Sequence, residues 1–122
     1  MCLSLLCSCG TKELPIDQLV ERQGIYYEIN SEVPYTGRVT DTHQNGQIST
    51  TGSYKDGKQD GPWEIYHENG QLERKGSYKD DEIDGPLETY YPNGNLMMRI
   101  LYKNGKQDGS MEGYNEDGER IW

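Results

Sequence analysis

The chain has 122 residues, enough for one domain, with 32% apolar residues, no Phe, 15 Gly, 10 Tyr and a formal net charge of −9. That balance argues against a nucleic-acid partner, which needs Lys and Arg against phosphate, and it makes an ordinary central core hard to build. Ten Tyr and two Trp argue against disorder, so the composition points to a repeat architecture in which each unit buries a thin strip against its neighbours.

The first residues, MCLSLLCSCG, hold all three cysteines: Cys2, Cys7 and Cys9. A disulfide framework would spread its cysteines through the fold. A structural zinc site needs about four ligands, and His43 and His67 are far away in sequence. No Lys or Arg precedes Lys12, and the apolar stretch is short for a secretory signal. Leu6-Cys7-Ser8-Cys9 nevertheless resembles a bacterial lipobox. The resemblance implies a lipid anchor on Cys9, with residues 1–12 as a truncated signal, anchor and linker. The alternative is an ordinary N-terminal tail. No later stretch approaches 18 apolar residues, so membrane contact is expected only through that anchor.

Residues 13–36 break the period that follows and are expected to cap it. A helical turn is expected within Glu13–Val20. Gln23-Gly24 reads as a turn and Ile25–Ile29 as a strand, giving a shortened hairpin that closes the N-terminal edge.

From Gly37 a 24-residue period is plain. Gly37, Gly61, Gly85 and Gly109 keep it, as do Gly46, Gly70, Gly94 and Gly118, and Tyr54, Tyr78 and Tyr102. The expected units are 37–60, 61–84, 85–108 and a partial 109–122. In the second unit, Pro62–His67 reads as a strand, since Pro is tolerated at a strand start. Asn69-Gly70 reads as a tight turn of positive φ. Gln71–Lys79 reads as a second strand, with Leu72, Arg74, Gly76 and Tyr78 on one side and Glu73, Lys75 and Ser77 on the other. Residues 79–85 turn the chain back. Gly52 and Gly76 sit inside strands, where glycine marks a bulge or a bulky neighbour's close approach. The fold class is therefore all-β: an elongated single-layer antiparallel sheet of stacked β-hairpins. A lone hairpin would not be stable, but three or more should be. Ile121 and Trp122 are expected to fold back as a last short strand.

The stretches GPWEIYHENGQLERKGSYKD and GPLETYYPNGNL resemble the MORN-type repeat in its bacterial variant, over Tyr35–Trp122. The resemblance implies an elongated sheet of hairpins, no enzyme activity and no cofactor. It also implies a role in protein scaffolding, as in bacterial lipoproteins and antitoxin-like immunity proteins. The few basic residues and only two Trp set this chain apart from the commoner pattern and weaken a lipid-binding inference.

Weighed by chemistry, Asp56-Gly57-Lys58-Gln59-Asp60-Gly61 lacks the alternating oxygens of a calcium loop, and turn formation explains its aspartates. His43 and His67, one repeat apart, are too distant to share a metal. No nucleophile–base pair or phosphate-binding loop is present, and an enzyme would need a deep pocket that a flat ribbon should lack. The candidates for partner binding are aromatic or break the period. Tyr66, Tyr90 and Tyr114 form a ladder on the side opposite Trp63, while Tyr91 occupies the histidine column. Met97, Arg99 and Leu101 replace polar residues of the other copies, to be covered either by Ile121 and Trp122 or by a partner. The expectation is a non-enzymatic scaffold binding an unknown protein partner, lipid-anchored at a bacterial cell envelope. The alternative is a cytoplasmic antitoxin that caps a toxic enzyme.

Overall fold

The computed structural model describes residues 12–122; Cys9 and the rest of the expected anchor lie outside them. The strands in chain order are β1 (Glu13–Pro15), β2 (Leu19–Arg22), β3 (Ile25–Glu28), β4 (Gly37–Thr42), β5 (Ile48–Lys55), β6 (Lys58–Gln59), β7 (Gly61–Tyr66), β8 (Leu72–Lys79), β9 (Glu82–Ile83), β10 (Gly85–Tyr90), β11 (Leu96–Lys103), β12 (Lys106–Gln107) and β13 (Glu112–Gly113). One sheet runs in the order β12-β11-β10-β8-β7-β5-β4-β1, with β6 on β5, β9 on β8 and β13 on β11. Its ladders are antiparallel except for β1, which pairs parallel to β4. This is the all-β hairpin sheet that the period predicts.

Two kinds of turn alternate along the ribbon. Asp56-Gly57, Asp80-Asp81 and Asn104-Gly105 each place two successive residues at positive φ, the two-residue hairpin turn that matches strand twist. Asn69-Gly70 does not. There only Gly70 has positive φ, at 89°, and the loop is wider: His67 N–H donates to Gln71 O and Gly70 N–H to His67 O. The Asn69 side chain is used instead as a staple. Its Oδ1 accepts from Gln71 N–H at 2.8 Å, and its Nδ2 donates to Pro92 O of the next unit at 3.0 Å. Asn45 and Asn93 repeat this geometry.

A register shift between Ile65 and Tyr66 makes Tyr66 pair with Leu72, leaving Glu73 as the extra residue. Directly paired residues share a face, so Leu72 sits on Tyr66's side and not with Arg74, Gly76 and Tyr78, as strict alternation had it. The same shift pairs Tyr90 with Leu96 and makes Met97 the extra residue.

One face packs. Trp63 pairs with Gly76, and its ring lies over Gly52 of the preceding strand, where a Cβ would collide with the indole. The indole N–H donates to Ser53 O at 3.3 Å. Its ring meets Tyr54 and Tyr78 edge-on at 5.6 and 6.2 Å. Leu87 and Ile83 take the corresponding place over Gly76. The in-strand glycines thus make room for the neighbour's side chain, and burying each such side chain is worth roughly 1.5–3 kcal/mol.

Burial is concentrated at the N-terminal end. Tyr35, Val39 and Tyr54 form the buried cluster, with Leu14, Ile16, Leu19, Tyr26 and Trp63 packed against it. Residues 16–18 form a single 3-10 turn, and β2–β3 is the expected hairpin around Gln23-Gly24. It does not extend the edge of the large sheet, because β1 occupies that place. It is a separate two-stranded sheet, tied down where Tyr26 N–H donates to Gly57 O, Gly57 N–H to Tyr35 O and Tyr35 N–H to Tyr26 O. Lying there, Tyr26 reaches Tyr54 at 5.0 Å between ring centroids, a contact that a coplanar edge hairpin could not make.

The tail does fold back, though without a strand. Ile121 N–H donates to Gly113 O, and Gly113 N–H to Trp122 O, with the Trp122 ring over Gly113. Gly113 pairs with Met98 and Glu112 with Arg99. Trp122 therefore lies on Met98's face, not over Arg99 and Leu101, and Leu101 stays 42% exposed.

Candidate functional site

The face opposite Trp63 carries a continuous row of paired residues across the sheet. Thr40 pairs with Thr51, Thr51 with Glu64, Glu64 with Lys75, Lys75 with Glu88, Glu88 with Arg99, and Arg99 with Glu112. From β7 to β13 the charges alternate in sign, so each carboxylate has a cation as a cross-strand neighbour. Such pairs contribute about 0.2–1 kcal/mol each. Arg99 Nε lies 3.4 Å from Glu88 Oε2, a charged contact without hydrogen-bond geometry.

Beside this row runs the tyrosine ladder. Tyr66 donates its hydroxyl to Glu64 Oε1 at 3.1 Å, Tyr90 to Glu88 Oε1 at 3.1 Å and Tyr114 to Glu112 Oε1 at 2.6 Å. The hydroxyl and carboxylate belong to residues two apart on one strand, which puts them on one face. All three tyrosines are held above the ordinary phenol pKa. For Tyr66 and Tyr90, burial is the first cause and the adjacent glutamate charge the second. For Tyr114 it is the hydrogen bond to Glu112. These rings are half-buried: fixed in place, with one side open.

The other candidates separate. Trp63 lies on the packing face and is used in the sheet. Tyr91 sits at the turn, donating its hydroxyl to Tyr114 O at 2.7 Å. His43 and His67 make the equivalent contacts, Nε2 to Tyr66 O at 2.8 Å and to Tyr90 O at 3.0 Å. The histidine column is thus a set of rungs from one unit to the next. Met97 is the bulge residue. Arg99 belongs to the charged row, and Leu101 pairs with Pro86 beyond it. Together on one face are Tyr66, Tyr90, Tyr114, Arg99 and Leu101; Trp63 is on the other face and Tyr91 is at the turn.

The glutamates of the row were not among the sequence candidates. Their signal was present: Glu64-Ile65-Tyr66, Glu88-Thr89-Tyr90 and Glu112-Gly113-Tyr114 repeat Glu-x-Tyr at the 24-residue stride, with Thr40-Asp41-Thr42 in the first copy.

As to other chemistry, no group of three His, Cys, Asp or Glu among the described residues could hold a metal ion. No helix there is long and apolar enough to cross a membrane. A notch of about 600 Å³ opens at the β2–β3 hairpin, lined by Arg22, Gln23, Tyr27 and Glu32. Arg22 stacks over the Tyr27 ring at 4.1 Å, which stiffens the hairpin.

The family model for the MORN repeat variant matches residues 59–80 and again residues 83–104, starting 24 residues apart. Both segments are similar to the MORN repeat variant. They contain β7, β8, β10 and β11 entire, so the charged row from Glu64 to Arg99 and two of the three tyrosines fall within the matched segments. No curated protein matches the chain. MORN repeats serve protein and membrane interaction and form a non-catalytic repeat family.

Proposed function

We propose that this MORN repeat chain is a non-enzymatic scaffold that docks a protein partner on the Tyr66–Tyr90–Tyr114 face. The observation that supports this most is the fixed Glu-x-Tyr hydrogen bond in three successive units, on the side of the sheet opposite Trp63 and the buried cluster. Aromatic rings held rigid lose little entropy on binding and are favoured anchors. The net charge of −9 favours basic partners and speeds their approach. The Leu6-Cys7-Ser8-Cys9 motif supports attachment at a bacterial cell envelope through a lipid on Cys9.

A photo-crosslinking residue placed at Tyr66 or Tyr90 in the native host should trap one and the same protein. Placed at Arg74, on the opposite face, it should not. No product from either tyrosine, or the same product from all three positions, contradicts the docking face. For the anchor, the mature chain should begin at an acylated Cys9 and partition with membranes, and Cys9→Ser should release it. An unprocessed chain in the cytoplasm would instead favour a second reading: an antitoxin whose acidic surface imitates the anionic substrate of the enzyme it caps.

A further inference from the structure

The tyrosine ladder has a spacing that selects the shape of its occupant. Tyr66, Tyr90 and Tyr114 recur once per hairpin, on β7, on β10 and just after β13. Successive rings are therefore two strands apart, roughly 9.4–9.8 Å. An extended segment laid across the strands presents same-side residues every 6.6 Å or so and loses step. A helix returns to one side about every 5.4 Å and drifts as well. A polyproline II helix has three residues per turn and rises 3.1 Å per residue, so every third residue returns to the same side after about 9.3 Å. Over three rings the mismatch is about 1 Å or less.

Charge sets the second requirement. On one side of the ladder stand Glu64, Glu88 and Glu112, with Lys75 and Arg99 between them. On its other side lie the wide turns, 43–47, 67–71, 91–95 and 115–119, which contain four carboxylates and neither Lys nor Arg. Each tyrosine hydroxyl already donates to its glutamate, so its oxygen remains as an acceptor for an incoming N–H. The ladder is thus a line of flat aromatic surfaces with carboxylates on both sides and free hydroxyl acceptors along it, which suits proline rings interleaved with guanidinium or ammonium groups.

We propose that the Tyr66–Tyr90–Tyr114 row binds a proline-rich segment in the polyproline II conformation, with Arg or Lys at every third position. This rests on the docking-face reading above and names the chemistry of the partner.

The test is fluorescence anisotropy with the full chain and three labelled peptides: four repeats of Pro-Pro-Arg, of Gly-Ser-Arg and of Pro-Pro-Glu. The first should bind at least about tenfold more tightly than the second, which has equal charge but no preformed helix, and the third should not bind. Combining Glu64→Gln, Glu88→Gln and Glu112→Gln should weaken the first by about tenfold or more. Chemical-shift changes in the unaltered chain should centre on the three tyrosines, which locates the site whether or not the triple variant folds. Equal binding of the two arginine peptides overturns the polyproline proposal and leaves a docking face for basic chains in general. Absence of binding, or shifts centred elsewhere, overturns the proposal too. Crosslinking from Tyr66 and Tyr90 then decides separately whether the face docks any partner.

Discussion

The two faces of the sheet share a 24-residue stride and carry opposite chemistry. On one, the glycine inside a strand of the first and second units receives a large side chain from the next unit: Trp63 over Gly52, Leu87 over Gly76. On the other, each unit after the first presents a glutamate, a tyrosine bonded to it and a cation from the neighbouring strand. The first face holds its contacts out of water and so contributes most of the stabilisation. The second keeps paired charges at the surface, where each pair is worth little. A repeat can therefore be conservative in its packing and free in its display, and the substitutions that damage the fold should differ from those that damage binding.

Removing the packing side chain should have the largest effect. Trp63→Ala is expected to cost about 3 kcal/mol in urea-induced unfolding, whereas Leu101→Ala, exposed on the display face, should stay within about 0.5 kcal/mol. Equal losses would break the distinction. Filling the space instead, Gly52→Ala should cost about 2 kcal/mol, since the new methyl meets the fixed indole. Gly46→Ala is unsuitable as a control because φ there is 88°; Ser53→Ala, beside the glycine, serves better.

Alkaline pH sharpens the same contrast. Burial pushes the Tyr54 pKa up to about 12, with Tyr26 and Asp81 adding to it. The unfolded chain loses that proton near pH 10 and the folded chain does not. The contribution of this tyrosine is thus whole below pH 10 and lost progressively between about 10 and 12. Unfolding free energy should fall over that window, and less steeply in Tyr54→Phe. The other raised tyrosines act in the same direction, so an unchanged slope in the variant would show that Tyr54 is not the main source. At the turns, Asn69→Ala removes both side-chain hydrogen bonds of one staple and should cost about 1–2 kcal/mol.

The packing face was the more legible of the two in the sequence. Gly52 and Gly76 stood inside strands without a side chain to pack, which left a bulge or a neighbour's side chain to account for them, and the structure shows the neighbour's side chain. The turn at Asn69-Gly70 was misjudged because Asn-Gly is shared by two geometries: here the asparagine amide reaches Pro92 of the next unit, a contact that no local rule contains. Leu72 was assigned to the wrong side because the bulge adds a residue that alternation cannot anticipate. The N-terminal hairpin was visible through Gln23-Gly24, but its docking over Tyr54 depended on Gly57 and Tyr35, far along the chain. The display face was half legible. The tyrosine ladder follows from the period, while the glutamates beside it looked like ordinary surface charge until their hydrogen bonds were seen.

The smallest effect per side chain belongs to the display face, and it provides the most direct test of the account. The Glu64→Gln, Glu88→Gln, Glu112→Gln chain should be unfolded by urea beside Trp63→Ala and the unaltered protein. The triple variant should keep its unfolding free energy within about 1.5 kcal/mol of the unaltered chain, while Trp63→Ala loses about twice that. A triple variant that unfolds as readily as Trp63→Ala would mean that the glutamate–tyrosine row is part of what holds the sheet together, and the division between a packing face and a display face would be wrong.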